Sequence, residues 1–251
     1  MAEEWGSYFC NVNDKLASIA LDLSLHRDAP IRGKSWLLWV WVYLRSPRPD
    51  GLSDRTEFEV ISAIEDELTK RISNACDAVE AGRLTTAGRR EFYFYGASEK
   101  TFESAVSEAM SLFETYKFDM GSKEDAEWGQ YLNVLCPSEE DFEKMKNQDL
   151  LGVLMKHGDT LTPVRDVRHW VYFQSREDRR SFASAVIELG YKIECESDLE
   201  NDDRPFELEI TREQSITPDQ IDATVITLFR LAKRANGEYD GWETKAISDE
   251  N

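Results

Sequence analysis

Nine consecutive apolar residues, Trp36–Leu44 (WLLWVWVYL), constrain this chain more than any other stretch. A strand apolar on both faces must sit inside a sheet. It lies either between two layers or with helices on one face and a loop over the other. The run is too short to cross a bilayer as a helix. At 251 residues, 41% hydrophobic and 31% charged, the chain can form one large or two ordinary soluble domains. The opening MAEEWGSYFC lacks both the basic and the apolar part of a signal peptide. Cys10, Cys76, Cys136 and Cys195 are too dispersed for a zinc or disulfide framework. A cytoplasmic location with reduced thiols is therefore expected.

Periodicity fills in the rest. Trp5–Val12 and Leu16–Leu25 read as a hairpin about NVND, and a second hairpin turns at Ala87-Gly88. Glu57–Ala75 carries Phe58, Ile61, Ile64, Leu68, Ile72 and Ala75 at helical spacing, and a further helix is expected over Glu99–Phe113. Pro137 followed by the helix-capping Ser138 marks a boundary, giving domains 1–137 and 138–251. The second domain reads as a helix stopped at Gly158, a strand over Val167–Gln174 and a helix over Arg176–Leu189. A strand from Gly190 and the strand FELEIT follow. A last helix is capped by Thr217, has Pro218 at its first position and is stopped by Gly237. The prediction is α+β: two tandem domains, each a small, mostly antiparallel sheet with helices on one face, the second ferredoxin-like. FESAVSE from Phe102 and FASAVIE from Phe182 echo one another, in keeping with two related layers.

Charge narrows the partners. Thirty Lys+Arg against 49 Asp+Glu leave −19, and residues 138–251 hold −11 of it. Such a surface repels nucleic-acid phosphates and anionic lipid and draws basic proteins, so neither nucleic acid nor membrane is an expected partner. ECESDLENDD packs Glu194, Glu196, Asp198, Glu200, Asp202 and Asp203 into ten residues. Without the glycine of a calcium loop this is either a solvated strand edge or a docking surface for a basic segment. Arg32–Ser35 (RGKS) lacks the first glycine of a phosphate loop, and the HRD at His26–Asp28 has no glycine-rich loop before it. His26, His157 and His169 stand apart, so no catalytic group, metal or cofactor is expected. Arg83, Arg89, Arg90 and Tyr93 are either an ordinary strand pair or, on an enzymatic reading, an anion pocket. In the closing GEYDGWET, Asp240-Gly241 reads as a turn. Tyr239 and Trp242 are then either a clasp folding back near His169 and Trp170 or anchors for a partner.

Several of these residues carry a family resemblance. Gly158-Asp159, the Arg165–Phe173 strand with His169, Trp170, Tyr172 and Phe173, Gly190-Tyr191 and the final G-x-Y-D-G-W-E-T resemble the regulator of ribonuclease E activity B family. Trp5, Tyr8, Pro49–Leu52, Gly82–Thr85 with REFYFYG, and EWGQYLNVLCP resemble domain-of-unknown-function family 695. The first resemblance implies a non-catalytic ferredoxin-like domain that inhibits ribonuclease E by binding the enzyme. It would dock on basic segments without touching RNA. It also implies structural roles for Gly158, Asp159, His169, Trp170, Tyr172, Phe173, Gly237, Asp240 and Gly241. An immunity protein against a basic toxin is the alternative that the acidity and the lack of catalytic motifs equally allow.

Overall fold

The computed structural model describes residues 4–200 and 203–247. Asp202 and the terminal SDEN lie outside the described residues. The chain divides into two compact units, Met1–Pro137 and Ser138–Asn251.

In the first unit β1 (Trp5–Val12), β2 (Lys15–Asp22), β3 (Trp36–Tyr43), β4 (Val79–Thr86), β5 (Arg89–Gly96) and β6 (Phe118–Glu124) make one sheet. Its order is β1-β2-β4-β5-β3-β6, with every neighbouring pair antiparallel. Asn13-Asp14 and Ala87-Gly88 turn the two hairpins with positive φ at both central residues, as two-residue turns between twisted strands require. Helices α1 (Phe58–Cys76) and α2 (Phe102–Met110) cover one face, where Ile61, Ile64, Leu68 and Ile72 join Leu38, Val40, Phe92 and Phe94 in one core. The other face lies under a loop, as the two-faced β3 requires. Trp128 stacks on Tyr95 at 4.0 Å, the Tyr131 hydroxyl donates to the Asp22 carbonyl at 2.7 Å, and the Tyr8 hydroxyl donates to the Leu135 carbonyl at 3.0 Å. The two-faced β3 thus has helices on one side of its sheet and an aromatic loop on the other. It lies between β5 and the edge strand β6. Strand β2 ends earlier than expected, because the Asp22 carboxylate accepts from the Ser24 amide (2.9 Å) and opens a 3-10 turn over Leu23–Arg27. Phe58 precedes the buried stripe of α1 and is 58% exposed.

The second unit runs α3 (Glu139–Lys156), β7 (Arg165–Phe173), α4 (Arg176–Glu188), β8 (Lys192–Asp198), β9 (Phe206–Gln214), α5 (Pro218–Arg234), β10 (Gly237–Thr244). The antiparallel sheet has the order β10-β7-β9-β8. Two interlocked β-α-β units give this ferredoxin-like arrangement. Helices α4 and α5 pack against the sheet, and α3 lies against α5. Ser138 and Ser175 cap α3 and α4 by accepting from amides three residues on. Thr217 makes no such bond, and α5 starts on Pro218 alone. Phe102 and Val106 in α2, and Phe182 and Val186 in α4, are all buried. The sequence echo therefore marks a shared packing task, since the two sheets differ in strand number and order.

Gly237 is not the left-handed stop of α5. Asn236 takes that conformation (φ 50°), and Gly237 already pairs with Phe173 as the first residue of β10. A Cβ at Gly237 would lie 2.4 Å from the Phe173 ring, so the glycine is there for close approach. Gly237→Ala is expected to destabilise the protein by about 1–3 kcal/mol through overpacking, read as a lower denaturation midpoint by circular dichroism.

Candidate functional site: an open aromatic and acidic sheet face

Period-two alternation along β7 sorts its side chains. Arg165, Val167, His169, Val171 and Phe173 are buried on the helical side, whereas Asp166, Arg168, Trp170 and Tyr172 point the other way and are exposed or half-buried. Register extends this outer face across the neighbours. Tyr172 is opposite Glu207 on β9 and Glu238 on β10, Trp170 is opposite Glu209 and Gly241, and Arg168 is opposite Thr211 and Glu243. Asp166 stands opposite Glu213. Two aromatics thus lie among six carboxylates, of which Glu209 is reached by Arg168 at 3.4 Å and Glu238 by Arg204 at 2.8 Å, and Lys192 of β8 stands opposite Thr211 at the margin. Like charges opposed across a ladder cost stability, so their concentration here is not explained by packing. Gly241 leaves the flank of Trp170 bare, since nothing lies within 4 Å of where its Cβ would be.

The inner residues hold this face in register. His169 is fully buried, its Nδ1 lies 2.9 Å from the Tyr239 hydroxyl, and burial pushes its pKa down to about 3. Trp242, opposite His169, donates from Nε1 to Asn147 Oδ1 (2.7 Å), and Asn147 Nδ2 donates to Asp222 (2.8 Å). That chain of bonds ties β10 to α3 and α5. Asp240-Gly241 is a bulge within β10, not a turn, because the register shifts between Tyr239 and Gly241. Gly158 (φ 85°) ends α3, and the next residue, Asp159, forms a buried ion pair with Arg165. The Asp159 carboxylate also accepts from the amides of Leu161 and Ile247, both at 2.8 Å. The Arg165 hydrogen bonds hold this carboxyl well below the usual carboxylate range. Asn147 is the site residue that sequence reading missed. The buried stripe of α3 is Glu143, Asn147, Leu151 and Leu154, and its first half is polar.

The proposed anchors and acids separate. Tyr239 is 5% exposed and its hydroxyl is bonded inward to His169, while Trp242 is half-buried against the core. Glu196 and Asp198 pair with Arg179, and Asp198 also with Arg176. Glu194 is the bulged residue of the edge strand β8. Bulge and charges together blunt that edge. Glu200 and Asp203 are exposed. A groove of about 620 Å³ beside β10, lined by Phe142, Phe229 and Tyr239, carries charges that already match, Lys146 with Glu143, Lys233 with Glu139 and Arg204 with Glu238. In the first unit the four candidate residues do not line one pocket. Arg83 and Arg90 meet Glu65 of α1, while Arg89 and Tyr93 meet Glu91 on the opposite face of β5.

Two measurements check this account. Asp159→Asn leaves the Arg165 guanidinium buried without its counter-charge and is expected to cost about 3–5 kcal/mol, read by urea denaturation. His169 has a folded pKa below its unfolded value of about 6.5, so the unfolded chain takes up a proton that the folded chain does not as pH falls from there towards 3. Stability should drop by up to about 1.4 kcal/mol per pH unit in that window, and His169→Gln should remove this share of the slope.

Comparison with known proteins follows the division into units. The model described as "Family of unknown function (DUF695)" matches residues 3–136, and that described as "Regulator of ribonuclease activity B" matches residues 144–244. The Regulator of ribonuclease activity B of Colwellia psychrerythraea is 30% identical over 97 residues, covering 38% of this chain and 84% of that protein. The protein of the same name from Escherichia coli is 26% identical over 110 residues, 43% of this chain and 80% of that one. A solved structure of an unknown protein from Galdieria sulphuraria aligns over 84% of this chain at 11% identity with a TM-score of 0.22, too low to carry an argument. The chain therefore belongs to the family of unknown function DUF695 through residues 3–136 and to the Regulator of ribonuclease activity B family through residues 144–244.

Proposed function

We propose that this protein is a non-catalytic, acidic regulator that inhibits a ribonuclease of the ribonuclease E type by binding the enzyme's basic segments. The observation that carries this reading is the outer face of the second sheet, where Trp170 and Tyr172 stand among Asp166, Glu207, Glu209, Glu213, Glu238 and Glu243. An extended basic segment laid across it would place cationic side chains over the aromatic rings and beside the carboxylates. The same negative field repels RNA, so the regulator would compete with RNA for the enzyme and not bind it. Glu194, Glu200 and Asp203 add to the field that steers association, whereas Glu196 and Asp198 are engaged with Arg179. Among the described residues no helix is long and apolar enough to cross a membrane. A regulator of RNA processing would act in the cytoplasm.

The test is cleavage of a fluorogenic RNA by the host's ribonuclease E-type enzyme, with the full chain titrated in at several salt concentrations. Inhibition is expected at low salt and should weaken as salt rises. Trp170→Ala should raise the inhibitory concentration at least about tenfold with the melting temperature little changed, as for an interface aromatic. Unaltered cleavage at low salt with the regulator in excess overturns the proposal.

A further inference from the structure

The four sheet edges are not alike. Strand β6 carries Asp119, Lys123 and Glu124. Strand β8 has its bulge at Glu194 among other acids, and β10 has a bulge with Glu238, Asp240 and Glu243. Charges and bulges of this kind keep edge strands from pairing with other chains. Strand β1, WGSYFCNV, has neither. It carries no charge and no proline, pairs with β2 over all eight residues without a register shift, and is the last strand of its sheet among the described residues. Its outward side chains are apolar as well: Phe9 is 56% and Trp5 39% exposed, and Leu16 of β2, on the same face, is 36% exposed. The small residues Ser7, Ser18 and Ala20 complete a flat shelf there, as Phe9 is opposite Ser18 and Ser7 opposite Ala20.

We infer that β1 is a homodimerisation edge, pairing antiparallel with β1 of a second copy about a two-fold axis perpendicular to the sheet. Because the hairpin turns on two residues and closes on Val12 and Lys15, alternate backbone groups, those of Ser7, Phe9 and Asn11, face away from β2. A two-fold perpendicular to the sheet keeps faces matched, so Trp5, Phe9 and Leu16 of both copies merge into one apolar strip. The occupant is a second copy because β1 carries no charge of its own by which to select a charged foreign segment, while self-pairing sets a neutral strand against itself. Charge distribution makes this edge the place where a chain of −19 can meet itself. Helix α1 lies over β4 and β5. The two β4 strands of such a dimer are separated by five strand spacings, roughly 24 Å. That exceeds the screening length of about 8 Å at physiological salt, so the bodies of the two α1 helices repel one another little; of their acids only Glu65 and Asp66 come near β1, in the pocket beside Trp5 where Arg83 also stands. This inference is independent of the ribonuclease reading, which concerns the other unit.

Sedimentation equilibrium of the full chain tests it. The unaltered protein should be a dimer, with the amides of Ser7, Phe9 and Asn11 protected from hydrogen exchange. Phe9→Lys should yield monomers with the same circular dichroism spectrum. Asn11→Lys, at an exposed polar position, should do the same and serves where Phe9→Lys disturbs folding. A monomeric unaltered protein, or a dimer that survives both substitutions, overturns the assignment.

Discussion

The second unit depends on the phase of one strand. With Arg165, Val167, His169, Val171 and Phe173 inward, β7 presents Trp170 and Tyr172 outward, and a slip of one residue would exchange the two sets. Three inner contacts pin that phase. The Asp159–Arg165 pair fixes the start of the strand, His169 meets Tyr239 at its middle, and the Phe173 ring fills the space that Gly237 leaves at its end. The chemistry of the open face is therefore set by residues that never reach it. Of the residues that carry the family resemblance, Asp159, Arg165, His169, Phe173, Tyr239 and Trp242 point inward, whereas Trp170, Tyr172 and Glu243 point outward.

Much of the architecture could be read in the sequence because the apolar patterns are strong. Ile61, Ile64, Leu68 and Ile72 announce α1, the alternation of FELEIT announces β9, and Ser138 marks both a cap and a boundary. What escaped reading has polar causes. Asn147 joins Trp242 to Asp222 from a helix whose buried stripe is half polar, so no hydrophobic period reveals it. Asn236 takes the left-handed position expected of the neighbouring glycine, and that glycine makes room for a phenylalanine ring four strands and helices earlier in the chain, beyond the reach of any turn rule. The acidic run was visible, but sequence alone could not show that Arg179 holds two of its members. Nor could it show that a second set of acids is assembled from β7, β9 and β10 by register.

The two units solve the problem of a sheet's second face differently. In the first, Trp128, Tyr131 and Leu135 close it, using hydroxyl and indole donors to satisfy carbonyls at 2.7–3.0 Å. In the second, no described helix of the unit packs on the corresponding face, which carries charge instead. An open face with aromatics in a ring of carboxylates is a surface held ready, and its cost is borne by the inner contacts.

The bulge in β10 works as a phase shifter. Tyr239 and Trp242 are three residues apart, a spacing that a regular strand would send to opposite faces, yet both turn inward because Asp240 is passed over in the pairing. The four letters Y-D-G-W thus store a half-period correction. Deleting Asp240 would leave Tyr239, Gly241 and Trp242 in plain alternation with Trp242 still inward, whereas inserting one residue between Gly241 and Trp242 would be a change of frame for the strand: everything beyond it would turn over, Trp242 would join the outer face, and Asn147 and Asp222 would lose the indole that links them to the sheet.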